Sequence, residues 1–135
     1  MWALTPSVLF LAYLLGVISD CLSCRSHRLR RGHTADGDGN MGAQNAFRIF
    51  GPRIGISVGF IDFIKGAAVI AIARAVDMTV PGILLSGILA VAGHNWPVFL
   101  HFRGGRGAAT TIGVLLLLVT LADANRGSGQ PLGAA

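Results

Sequence analysis

Ile54-Gly-Ile-Ser-Val-Gly-Phe-Ile-Asp-Phe-Ile-Lys-Gly-Ala-Ala-Val-Ile-Ala-Ile-Ala-Arg-Ala75 is apolar over a length that can cross a bilayer, yet it holds Asp62 and Lys65 in its interior. About 20 helical residues span a hydrocarbon core. Three further apolar stretches accompany it: Trp2 to Leu22, Val80 to Leu100 and the shorter Ala108 to Ala122. The first has the position of a signal peptide. It lacks a basic start, and Asp20 interrupts any small-residue cleavage site, so it reads as a retained helix. The expected fold is all-α, a polytopic membrane helical bundle of about four transmembrane helices over residues 1–122, with a flexible Gly, Ser and Pro-bearing tail over 123–135.

Composition supports that class. The mean hydropathy is +0.64, no Glu occurs, and the 19 glycines of the 135 residues suit close helix packing in lipid. The net charge of +5 raises the possibility of nucleic-acid binding. The basic residues punctuate apolar segments rather than forming a stripe interleaved with aromatics, so no nucleic-acid partner is expected. Cys21 and Cys24 form a lone C-x-x-C, read as small packing residues near a helix end; no metal and no cofactor is expected.

Arginine counting sets the expected orientation. Arg25, Arg28, Arg30, Arg31, Arg48 and Arg53 lie between the first two apolar segments, and Arg103 and Arg106 between the third and fourth. Two crossings separate these loops, so they share a side, while Val76 to Thr79 carries no Lys or Arg. The positive-inside rule makes both loops cytoplasmic and places the N-terminus outside.

Those loops carry the chemistry. The first reads Asp38-Gly-Asn-Met-Gly-Ala-Gln-Asn-Ala-Phe-Arg48 and runs into a helical stretch, Ala43 to Phe50, ending near Gly51-Pro52. Its Gly37-x-Gly39-x-x-Gly42 lacks the strand and βαβ unit of a dinucleotide site. Its Asp36-x-Asp38-x-Asn40 has neither the glycine nor the closing Glu of an EF-hand. Asn40, Asn45 and Arg48 remain as groups suited to an anion. The second loop reads Gly93-His-Asn-Trp-Pro-Val-Phe-Leu-His-Phe-Arg-Gly-Gly-Arg-Gly107, and it opens directly onto an apolar helix. Backbone N–H groups at a helix start, flanked by arginines, form a ready anion site. His94 can be a proton shuttle, a phosphate ligand or a hydrogen-bonded interfacial residue. Trp96 suits an interface anchor. Asp62 and Lys65, three apart, share a helix face; they neutralise each other, or Lys65 snorkels toward a phosphate.

Gly39-Asn-Met-Gly-Ala-Gln-Asn-Ala-Phe-Arg48, Asp62-Phe-Ile-Lys-Gly66 and the Gly93 to Gly107 block resemble the bacterial PlsY family, in order and spacing, from about Leu11 to Leu118. These are membrane glycerol-3-phosphate acyltransferases with acyl phosphate as donor. The resemblance implies an enzyme of phospholipid biosynthesis in the bacterial inner membrane, with acyl phosphate, glycerol 3-phosphate and membrane lipids as partners. It implies that Arg48, Lys65, Arg103 and Arg106 hold the anions, that Asn40, Asn45 and the amides of Gly104, Gly105, Arg106 and Gly107 orient them, and that His94 or a substrate phosphate oxygen is the base. Asp38, in the same substrate-binding motif, is expected to contact a sugar-like hydroxyl or an arginine such as Arg48, since a carboxylate only accepts. Asp38 stands where the family has Ser, Gln44 where it has Thr, and Arg103 and Arg106 where it has Lys. The family's third motif has no counterpart, so a C-terminally truncated member is expected. The alternative is a non-catalytic membrane protein that binds phosphate or lipid headgroups.

Overall fold

Pro52 fixes where one helix stops and the next begins. It cannot donate a backbone hydrogen bond, but its φ suits a first helical turn; Gly51 before it takes φ +87°, a left-handed value. In the computed structural model, which describes residues 5–28, 42–98 and 104–127, this break separates α2 (Ala43–Phe50) from α3 (Pro52–Ala75). The other elements are α1 (Thr5–Arg28), α4 (Val80–Asn95) and α5 (Ala108–Gly127). Every regular element among the described residues is helical.

Three boundaries differ from the sequence reading. The first helix continues through Arg28 rather than ending near Leu22. α4 stops at Asn95, not Leu100. Pro97 is the reason: it restricts Trp96 to non-helical backbone, φ −129° and ψ 64°. α5 runs through Gly127, into the stretch assigned to the tail. Ala122, Ala124 and Arg126 are good helix formers and carry the helix past its apolar part. The short helix Ala43 to Phe50 and the start of α5 at Ala108 fall where the sequence places them.

Glycines let the helices approach backbone to backbone. At the α1–α4 crossing, a Cβ on Gly16 would overlap the Ala90 carbonyl, and one on Gly93 would overlap that of Tyr13. α3 meets α5 in the same way, through Gly66 against Thr110 and Gly113 against Phe63. Small residues at such crossings drive helix association in lipid, where apolar area gives little preference for a neighbour over a lipid tail. Two small apolar clusters fill the seams: Ile70, Ala73, Ile83 and Val114, and Ala12, Val69 and Ala90.

The burial pattern is inverted relative to a water-soluble bundle. Asp62, Lys65, Ser86, His94 and Thr110 are buried, whereas Ile56, Phe60, Ile88, Ile112, Leu116 and Val119 are exposed. Exposed apolar faces on three helices around a polar interior suit a lipid surround. Pro52–Ala75 is the one described helix long and apolar enough, taken alone, to cross a membrane. α4, with 16 residues, is about 24 Å long, short of a full hydrocarbon core.

Candidate active site

The site begins with Lys65, the chain's single lysine. It lies on α3 one turn from Asp62, and its Nζ is 3.1 Å from Asp62 Oδ1. The expected pairing of these two is therefore present. Lys65 points inward, with 8% of its surface exposed. Its ammonium donates to the Gly16 carbonyl of α1 at 2.8 Å and stands 2.8 Å from His94 Nδ1 of α4. His94 Nδ1 is also 3.7 Å from Asp62 Oδ1. Three helices are thus joined at one buried cation. A buried ammonium is tolerated when carboxylate and hydrogen-bond acceptors surround it.

His94 connects this cluster to the second loop. It occupies the last turn of α4 and is 2% exposed. The N–H of Gly105 donates to the His94 carbonyl at 3.1 Å. The imidazole lies under Gly105 so closely that a Cβ there would overlap Nε2. Gly107 adopts φ +68°, and the chain then enters α5, whose first bond runs from the Thr111 N–H to the Gly107 carbonyl at 2.8 Å. The opening amides of a helix have no acceptor inside it and face outward along its axis. Beside this turn, Asn95 Oδ1 and Thr110 Oγ1 are buried with no hydrogen-bond partner among the described residues. The start of α5 therefore concentrates polar groups able to receive a ligand.

The two loops meet. Arg106 Nη1 donates to Gln44 Oε1 of α2 at 3.3 Å, joining the Gly-Arg-Gly turn to the first motif. Asn45 is buried on α2, and Arg48 is exposed in its last turn. Among the residues implicated from sequence, Asn45, Arg48, Lys65, His94, Gly104, Gly105, Arg106 and Gly107 are placed by the structure. Asp38, Asn40 and Arg103 lie outside the described residues.

Sequence reasoning overlooked Tyr13. Its hydroxyl donates to the Trp96 carbonyl at 2.9 Å and accepts from the Val98 N–H at 3.3 Å. Pro97 interrupts α4 there, and the phenol satisfies backbone groups released by the interruption. The available signal was a lone tyrosine in an apolar helix, since such a hydroxyl needs a polar partner. Tyr13→Phe is expected to cost about 1–2 kcal/mol and to raise hydrogen exchange at Val98. An unchanged exchange rate there would contradict the role.

An apolar cavity of about 520 Å³ runs between α4 and α5. Leu84, Ile88, Val114 and Leu118 line it, and Asn95 and Trp96 stand at its loop end. Its nearest approach to the glycine turn is Asn95, against which a Cβ on Gly107 would press.

A family model described as glycerol-3-phosphate acyltransferase matches residues 7–124. The chain belongs to the glycerol-3-phosphate acyltransferase family. It is 44% identical over 110 residues to a glycerol-3-phosphate acyltransferase 4 of Dehalococcoides mccartyi, covering 82% of this chain and 60% of that protein. It is 36% identical over 121 residues to a glycerol-3-phosphate acyltransferase of Thermoanaerobacter pseudethanolicus, covering 90% of this chain and 60% of that one. Among solved structures it is similar to PlsY, an integral membrane glycerol 3-phosphate acyltransferase, in its glycerol 3-phosphate form. The TM-score is 0.75 at 32% identity, covering 90% of this chain and 62% of that one. A second structure of PlsY, in a lysophosphatidic acid form, matches with a TM-score of 0.72. The chain thus spans about three fifths of the length of these relatives. A membrane location follows from the family and from the likeness to an integral membrane protein.

Proposed function

We propose that the site transfers a fatty acyl group from acyl phosphate to the primary hydroxyl of glycerol 3-phosphate. The hydroxyl oxygen bonds to the acyl carbonyl carbon, the carbon–oxygen bond to phosphate breaks, and lysophosphatidic acid and inorganic phosphate form. The proton leaves with a phosphate oxygen or through His94. The observation that carries this reading is the junction of the two arginine–glycine motifs through Arg106 and Gln44 in a chain of this family.

Both substrates bear phosphate, and each motif supplies groups for an anion. Arg48 and Asn45 of α2 form one side. Arg106 and the backbone of Gly104, Gly105 and Gly107 at the start of α5 form the other. Asn40 and Arg103 belong to the same two motifs in sequence and add one amide and one guanidinium to that chemistry. The cavity between α4 and α5 is apolar and opens beside that turn, so it suits the acyl chain of the donor. Phosphate is a good leaving group, and the protein's work is then positioning and charge stabilisation. α1, α3, α4 and α5 cross the bacterial inner membrane, with the N-terminus outside and both loops cytoplasmic. The separation of arginine-bearing loops from the short Val76–Thr79 connection supports that orientation.

Purified protein in detergent, given acyl phosphate and labelled glycerol 3-phosphate, is expected to release phosphate and lysophosphatidic acid in equal amounts. Arg106→Ala is expected to lower kcat/KM by about 10- to 100-fold, the loss of one or two charge-assisted contacts. Binding of glycerol 3-phosphate with no product would reject the catalytic reading.

A further inference from the structure

We propose that α2 is a re-entrant helix: it lies within the hydrocarbon beside the first turns of α3, its exposed apolar face meets lipid acyl chains, and the glycine turn it touches sits below the membrane surface. This placement rests on the membrane location of the family and not on the reaction proposed above.

α2 is folded back along α3. Gly51 turns the chain with φ +87°, and Pro52 begins α3 at once. A Cβ on Gly55 would overlap the backbone of Phe47, and one on Gly59 would stand 3.4 Å from the Ala43 Cβ. Phe47 thus rests at Gly55 and Ala43 at Gly59, so the two helices run antiparallel. The depth follows from α3. Arg53 and Arg74 lie near its ends, about 31 Å apart along the axis, and a hydrocarbon core is about 30 Å thick. Between them the charged residues are Asp62 and Lys65, both buried. Two arginines at that separation mark the two headgroup levels, where a guanidinium reaches water. Gly59 lies about 9 Å below the level of Arg53, and α2 begins beside it.

The side chains agree with that depth. Phe47 is 49% exposed, and Ile54, Ile56 and Phe60 on the adjoining turns of α3 are exposed as well, whereas Asn45 and Ala46 are buried. Arg48 lies in the last turn of α2, the end nearest Gly51 and the surface. α4 gives an independent measure. It returns from the opposite boundary after Val76–Thr79 and, at about 24 Å, stops short of a full crossing. Irregular backbone at membrane depth is tolerated where protein covers it or it lines a cavity. The Gly105 N–H holds to the His94 carbonyl, and Arg106 holds to Gln44, the neighbour of Ala43. The end of α4, the glycine turn and the start of α2 therefore share one depth. A substrate carrying an acyl chain reaches that turn sideways through the leaflet, without lifting the chain into water.

Tryptophan fluorescence on the full chain measures the depth. Trp2→Phe/Trp96→Phe removes the native indoles, and Phe47→Trp or Ile56→Trp adds a single reporter; Ile88→Trp, on the exposed face of α4, is the reference for hydrocarbon. The proteins are reconstituted in phosphatidylcholine vesicles with brominated acyl chains, and separately titrated with aqueous iodide. The reporters at 47 and 56 are expected to lose as much fluorescence to brominated chains as the reporter at 88, and less to iodide than to bromine. Stronger quenching by iodide would put α2 in water and overturn the proposal. Quenching by neither would mean that protein covers this face, and would overturn it equally. Ile56→Trp decides if Phe47→Trp disturbs the contact with Gly55. Absence of acyl transfer with lipid-quenched reporters would count against the proposed reaction and leave this placement standing.

Discussion

Asp62→Leu is expected to destabilise the helix bundle by about 3–5 kcal/mol, because it removes the carboxylate from a buried ammonium. The double variant Asp62→Leu/Lys65→Met is expected to regain most of that loss. The asymmetry comes from desolvation. In the folded protein Lys65 is 8% exposed and Asp62 2%, so neither is solvated by water once its partner is gone. Removing both charges takes away the attraction and the desolvation cost together, and side chains of similar volume fill the space. The measurement is reversible unfolding in mixed micelles as the fraction of denaturing detergent rises, comparing the two single variants with the double. Equal losses for Asp62→Leu and the double variant would show that the charge pair is not the coupled unit described.

Gly105→Ala is expected to lower kcat/KM by about 10- to 100-fold while leaving the bundle folded. A Cβ at Gly105 would occupy the place of His94 Nε2. The imidazole cannot retreat, since its other face is held by Lys65 and Asp62. The turn must lift instead, which separates the Gly105 N–H from the His94 carbonyl and displaces Arg106. Over-packing of this kind costs about 1–3 kcal/mol locally, and that free energy appears in transition-state stabilisation when the displaced groups hold substrate. Steady-state kinetics with acyl phosphate and glycerol 3-phosphate varied in turn checks it. Wild-type kinetics in the variant would mean that the ring and the turn do not share the site.

Much of the helical architecture is legible from hydropathy alone, because apolar segments of membrane length have few alternatives to a helix. Gly51-Pro52 and the glycine turn before Ala108 marked element ends through backbone chemistry that operates locally. Pro97 was equally visible, but the apolar run through Leu100 masked it, and α4 ends five residues earlier. The site was harder to read. Spacing on α3 shows that Asp62 and Lys65 share a face, but not which way that face points. That depends on a carbonyl at Gly16, on another helix, exposed to Lys65 because Gly16 and Gly93 let two backbones touch. Long-range consequences of missing side chains leave no local pattern. The same holds for Gln44, whose bond to Arg106 depends on where α2 comes to rest.

Tyr13 gives the chain an order of assembly. Its hydroxyl terminates α4 from a position 83 residues earlier, so the end of α4 cannot acquire its final hydrogen bonds from its own neighbours. Trp96 and Val98 find their partner only when α4 docks against α1. The stop of α4 is in this sense written on α1 and not on α4 itself.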